Sequence, residues 1–170
     1  MLKLVHHPDD ILDRSLPAFN FADPALDPAD IEKQMVELMA NENGIGLAAN
    51  QAGLEFRAFA IKTQNLADVP DPFVAFNPEV VAVSEEMDYD YEGCLSFPNL
   101  FFKVNRPKTI MAKFVDRTAT ERIIELTGID ARCFLHELDH LNGICFIDRV
   151  SKLKLDLAMK KQRKRNGRTK

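Results

Sequence analysis

Apolar residues along this chain recur in two different rhythms. In the first twenty-odd residues they mix with Pro8, Pro17 and Pro24, which suits an extended arm wrapped on a domain better than a helix. Ile31, Met35, Leu38 and Met39 then repeat at helical spacing. Asp27-Pro28-Ala29-Asp30 supplies that helix with an N-cap carboxylate, a first-turn proline and an acid at the positive end of the dipole, and its end is predicted near Asn41. From Gly53 to about Phe114 the rhythm changes to short apolar runs between turn residues: Phe56–Ile61, Phe73–Phe76, Val80–Val83, Phe101–Val104 and Thr109–Val115. These read as strands, mostly antiparallel. Asp68-Val69-Pro70-Asp71-Pro72 reads as a loop, because its prolines block a helix and remove ladder donors. Arg122–Leu126 is a further apolar run, followed by Thr127-Gly128 and an apolar-rich helix from Ile129 to Leu141 that Asn142-Gly143 closes with a left-handed stop. The expected class is α+β: antiparallel strands around a central helix, with an N-terminal and a C-terminal helix.

Length and composition set the frame. At 170 residues the chain is expected to form one domain over 1–150, with 151–170 as a basic helix or tail and not a separate domain. It has no internal repeat. Cys94, Cys133 and Cys145 are an odd number, and no secretory-type start precedes them, which points to a reducing, intracellular compartment and a cytoplasmic location. An organelle or an infected host's cytoplasm would fit equally. No apolar run approaches the ~20 residues needed to span a bilayer, so no membrane partner is expected. The formal charge of -4 hides an asymmetry: residues 152–170 carry six Lys and three Arg against Asp156, a local +8, leaving -12 for the rest. A solvated, frayed end and a polyanion-docking segment both explain such a tract.

Candidate chemistry centres on His136-Glu137-Leu138-Asp139-His140. Two histidines four apart on a helix differ by only about 40° in azimuth and ~6 Å in rise, so both imidazoles can face one ion while Glu137 sits beside a metal-bound water. By themselves they could equally be hydrogen-bonded neighbours of a core. A catalytic metal needs a third protein ligand and an open position, and Cys94, in a turn flanked by Gly93, offers a thiolate. Cys133 and Cys145 read as small buried hydrophobes.

Gly44-Ile45-Gly46-Leu47-Ala48-Ala49-Asn50-Gln51, Glu92-Gly93-Cys94-Leu95-Ser96 and the histidine segment together resemble, in order, the three motifs of the peptide deformylase family. The likeness extends to Val5-His6-His7-Pro8-Asp9, Asn77-Pro78 and Leu141-Asn142-Gly143. It implies a hydrolase that removes the formyl group from the formyl-methionine of nascent polypeptides and releases formate. Cys94, His136 and His140 would hold one divalent metal, Glu137 would be the base, and the Gln51 amide and the Leu95 N–H would meet the oxyanion. The glycines at 44 and 46 let the backbone pass close to a bound peptide, and Ile45, Ile129 and Cys133 are expected to line a methionine pocket, with Arg132 near its mouth altering preference for the next residue.

The chain departs from the family pattern at Leu135, where Gln is common, and at Asn50, where Pro is frequent. The loss at 135 removes a second hydrogen-bonding layer unless Asp139, Glu92 or Arg106 takes over. Glu92 and Arg106 pair either behind the site or at the surface. Phe97, Phe101 and Phe102 make the turn after Ser96 strongly apolar where many relatives of the resembled family place a basic residue, and either core packing or a wall for the peptide would explain it. The resemblance implies Fe(II) in the cell, while the donors also suit Zn(II), Ni(II) or Co(II) in purified protein. It further implies ribosome docking near the exit tunnel by the C-terminal helix. Two rival readings stay open: a catalytically idle, metal-containing ribosome-binding module, and a general metallopeptidase.

Overall fold

A computed structural model describes residues 2–24, 26–64, 66 and 70–166, with 162–166 as helix backbone only. Asp68 and Val69 of the expected loop, and 167–170 of the basic tail, lie outside the described residues. The helices are α1 (Pro28–Asn41), α2 (Ile129–Leu141) and α3 (Lys152–Asn166); the strands are β1 (Gly46–Ala48), β2 (Ala58–Ile61), β3 (Phe73–Val83), β4 (Met87–Cys94), β5 (Phe97–Pro107), β6 (Thr109–Val115) and β7 (Glu121–Thr127). Helix α1 starts as its sequence predicts: the Asp27 carboxylate accepts from the N–H groups of Ala29 and Asp30 at 2.7 and 3.3 Å. Helix α2 stops at Asn142, with Gly143 at φ 72°. A Cβ on Gly143 would stand 2.6 Å from the Asp13 carbonyl oxygen, so only glycine lets the chain turn there against the N-terminal arm.

Two antiparallel sheets result. Five strands pair in the order β1-β2-β3-β6-β7, while β4 and β5 form a separate hairpin. Helix α2 packs against both. The main core lies between the large sheet, α1 and α2, where Met35, Phe59, Phe76, Phe114 and Phe134 are fully buried and the Phe59 and Phe134 rings meet edge to face at 4.9 Å. A smaller cluster of Leu12, Phe97, Leu100, Phe102, Cys145 and Phe146 sits under the hairpin, and Leu155 and Met159 of α3 pack on it.

The pattern misplaced some strands. Phe73–Phe76 and Val80–Val83 are one strand, because Asn77-Pro78 makes a bulge in it rather than a break. Asn77, at φ 48°, accepts from the Phe19 N–H at 2.7 Å and donates to the Phe19 carbonyl at 3.0 Å, fixing the bulge to the arm. Strands β1 and β4 were not foreseen, β1 because it is three residues long and β4 because Asp88, Asp90 and Glu92 interrupt its apolar character.

Candidate metal centre

Each of the three expected ligands comes from a place the fold determines. Helix α2 stacks His136 and His140 one turn apart, with ring centroids 5.0 Å apart. Cys94 is the last residue of β4, just before the Leu95-Ser96 turn, and so stands at a strand end rather than within the turn. Its Sγ lies 3.2 Å from His140 Nε2. One donor atom from each of Cys94, His136 and His140 falls within 4.8 Å of the others, close enough to share one cation. A thiolate with two imidazoles suits a divalent transition metal. The buried Oε2 of the adjacent Glu137 has no protein hydrogen-bond partner.

A charged layer behind the ligands sets their protonation. Glu92 Oε2 lies 3.0 Å from His136 Nδ1. An ionised carboxylate only accepts, so Nδ1 keeps a proton and Nε2 is the nitrogen that can turn a lone pair to a cation once it gives up its own proton. Glu92 stays ionised: burial pushes its pKa up, but hydrogen bonds from Arg106 and His136 outweigh burial and hold it at about 2. Burial likewise works against charge on His136, yet Cys94, Glu92 and Glu137 raise it to about 10 without a metal, whereas burial and the neighbouring His136 charge lower His140. A metal entering the site must therefore displace a proton from His136. Burial, reinforced by Glu92, pushes the Glu137 carboxyl up to about 7, within the range of a base at neutral pH.

Glu92 and Arg106 form a buried, bidentate pair with N–O distances of 2.8 and 2.9 Å, so the surface alternative is overturned. Arg106 also reaches Asp139 at 2.6 Å, and Arg149 joins from the other side at 3.0 Å. With Leu135 packed on the apolar core, it is Glu92 that accepts the hydrogen bond from His136.

Gln51 is fully buried beside the ligands. Its amide NH₂ donates to Cys94 Sγ at 3.3 Å and to Ser96 Oγ at 3.1 Å, while its oxygen accepts from the Ala48 N–H at 2.9 Å. A cavity of about 540 Å³ opens over this group, lined among others by Gly44, Ile45, Gly46, Leu95, Ile129 and Cys133, with Glu137 and His136 in its wall. Gly46 is required for a reason the motif alone hid: a Cβ there would collide with the Glu137 carboxylate and stand 2.7 Å from Cys133 Sγ.

The structure adds to three expectations. Arg132 lines the cavity as expected, and its buried side chain also pairs with Glu92 and with the hairpin backbone. The N-terminal arm does more than wrap the domain: Leu4 and His6 line the cavity, and Val5 is held by Gln51 and Ser96. The phenylalanines divide: Phe97 and Phe102 are core, whereas Phe101 is 66% exposed at the cavity rim. Sequence reasoning also passed over Arg149, which no motif marks, and treated Asn50 only as a departure. Its amide donates to the His140 carbonyl at 2.7 Å, a contact proline cannot make.

The comparisons agree with this geometry. The Polypeptide deformylase family profile matches residues 1–156. A peptide deformylase of Rhizobium meliloti is 42% identical over 136 residues, 78% of each chain. One from Bartonella henselae is 37% identical over 165 residues, 97% of this chain and 93% of its own. The crystal structure of peptide deformylase from Ehrlichia chaffeensis superposes with a TM-score of 0.84 at 32% identity, covering 99% of this chain and 98% of that one.

Proposed function

The chain belongs to the polypeptide deformylase family and shares its hydrolase activity on formylated nascent peptides, and on that premise we propose which of its residues carry the reaction. A divalent cation, which Cys94, His136 and His140 would hold, would acidify a bound water towards neutrality and act as a Lewis acid for the formyl carbonyl. Glu137 takes one proton from the water at its carboxylate as the water oxygen bonds to the formyl carbon, then delivers that proton to the leaving amine as the formyl C–N bond breaks, and the formic acid released ionises to formate. The Gln51 amide and the Leu95 N–H are the donors we assign to the oxygen that gains charge, the amide releasing one of its present acceptors, Cys94 Sγ or Ser96 Oγ, to reach it. The methionine side chain enters the apolar end of the cavity between Ile45, Ile129 and Cys133. Backbone groups at Gly44 and Gly46 hold the peptide in extended form, as an added strand beside β1.

The observation that carries this reading is Glu137, buried beside the three ligand residues with a carboxylate oxygen that meets no protein hydrogen-bond partner. Formate release from formyl-Met-Ala should fall by about 10²–10⁴-fold in Glu137→Ala with metal content retained. An undiminished rate overturns the assignment, and cleavage of an unformylated peptide would favour a general metallopeptidase instead. The base must be ionised, and a bound cation favours the ionised form, so wild-type kcat/KM should decline as pH falls through a value at or below about 7.

Fe(II) is the ion we assign in the cell, with Zn(II), Ni(II) or Co(II) able to occupy the same donors. We assign the cytoplasm as the compartment and the ribosome as a docking partner. Helix α3 supports the second assignment: it leaves the small core with Lys152, Lys154, Lys160 and Lys161 exposed. Among the described residues no helix is long and apolar enough to cross a membrane.

A further inference from the structure

The backbone ladder does not hold Cys94 against its partner histidines. Among the described residues the hairpin that carries Cys94 shares no strand pairing with the five-stranded sheet, and both histidines ride on α2. Something other than sheet hydrogen bonds must set the sulfur-to-imidazole distance. Side chains cross that gap in both directions. Arg106 leaves β5 for Asp139 on α2, and Arg132, one turn before His136, leaves α2 for the hairpin.

We infer that Arg132 is a positioning residue of the metal centre, a clasp that fastens the β4–β5 hairpin to α2 and so sets where the Cys94 sulfur stands. Its acceptors all belong to the hairpin: Glu92 Oε1 at 2.8 Å, the Val104 carbonyl at 2.9 Å, the Asp90 carbonyl at 3.3 Å, and the Asp88 carbonyl and carboxylate at 2.8 and 3.1 Å. Three of these acceptor residues lie on β4, six, four and two residues before Cys94, so the clasp grips the strand that delivers the sulfur. Glu92 is the shared joint. Its Oε1 receives Arg106 and Arg132, and its Oε2 receives Arg106 and His136 Nδ1. One carboxylate therefore couples the orientation of a histidine ligand to the position of the strand bearing the thiolate. A planar, forked cation is needed to meet so many acceptors at once; lysine, a point charge on a flexible stem, meets only some of them.

This inference rests on the deformylase reading for the use of the site, but its test does not require activity. Arg132→Met, Arg132→Lys and Asp88→Asn are loaded with Co(II), and the sulfur-to-cobalt and d–d absorption bands are recorded. Release of Zn(II) to a chelator and thermal melting are measured alongside. Arg132→Met should shift the bands and release zinc about 10–100-fold faster than wild type. Lysine should restore part of the effect, and Asp88→Asn should fall between. Formate release on a panel of formyl-Met-X peptides should show a lowered kcat with the order of preference among X unchanged. Wild-type bands and release rates in a folded Arg132→Met protein overturn the inference, as does an altered peptide preference with an unaltered metal site, which returns Arg132 to the cavity mouth. Removing one side of a buried pair can prevent folding. In that case Asp88→Asn, at the half-exposed end of the clasp, decides by the same readouts. If wild type releases no formate while the bands respond as expected, the deformylase reading fails and the clasp stands.

Discussion

The two halves of the metal centre are held by different physics. Helix α2 is seated by apolar contact: Ala131, Phe134 and Leu141 are fully buried in the main core, and Phe134 meets Phe59 of β2 edge on. The hairpin with Cys94 has the smaller cluster of Phe97, Leu100, Phe102 and Phe146 beneath it, and is tied to α2 by Glu92, Arg106, Arg132 and Asp139. Apolar packing is indifferent to direction and pH, whereas paired charges fix angles and respond to protonation. The histidines thus sit on the part of the molecule that defines the fold, and the thiolate on the part that charge orients.

That contrast can be broken from either side. The largest effect belongs to the apolar half: Phe134→Ala should lower global stability by about 3–5 kcal/mol in urea unfolding. A much smaller loss would mean that α2 is held by the charged network instead. The charged half should yield to acid. The Glu92 carboxyl is depressed to about 2 from an ordinary 4.5, so its contribution is fully present above about 4.5 and is lost as pH falls towards 2. Unfolding free energy should drop through that window in wild type, and less steeply in Glu92→Gln; equal slopes would remove the carboxylate as the joint. The smallest effect on the site is expected from the basic C-terminal segment. Deleting residues 160–170 should weaken salt-sensitive ribosome binding while formyl-Met-Ala hydrolysis persists. Ribosome affinity that survives the deletion would end the docking assignment.

Legibility followed the range of the interaction. Helices α1 and α2 were readable to the residue, because Asp27-Pro28 and Asn142-Gly143 are local signals acting within one turn of chain. Strand β6 was equally plain, since Thr109–Val115 alternates buried with half-buried positions. Strand β4 was not, because its acids look like solvated positions until Arg106 and Arg132 are brought to them from 14 and 40 residues away. The partners of Arg132 were hidden for the same reason. One turn before His136 it faces the site, but whether its charged end points to solvent or to the hairpin depends on which acceptors surround it, and those lie on another element.

The sequence by itself determined the ligand types, their order, the helix that pairs two histidines with a carboxylate, and the family to which these belong, since each depends on residue identity and short-range spacing. Only the tertiary structure decided that Glu92 accepts from His136, that Gly46 is small because Glu137 passes over it, and that Arg132 pairs with the hairpin. Contacts between elements distant in the chain arise when the apolar cores form, and a buried charge takes its partners from whatever that packing brings near.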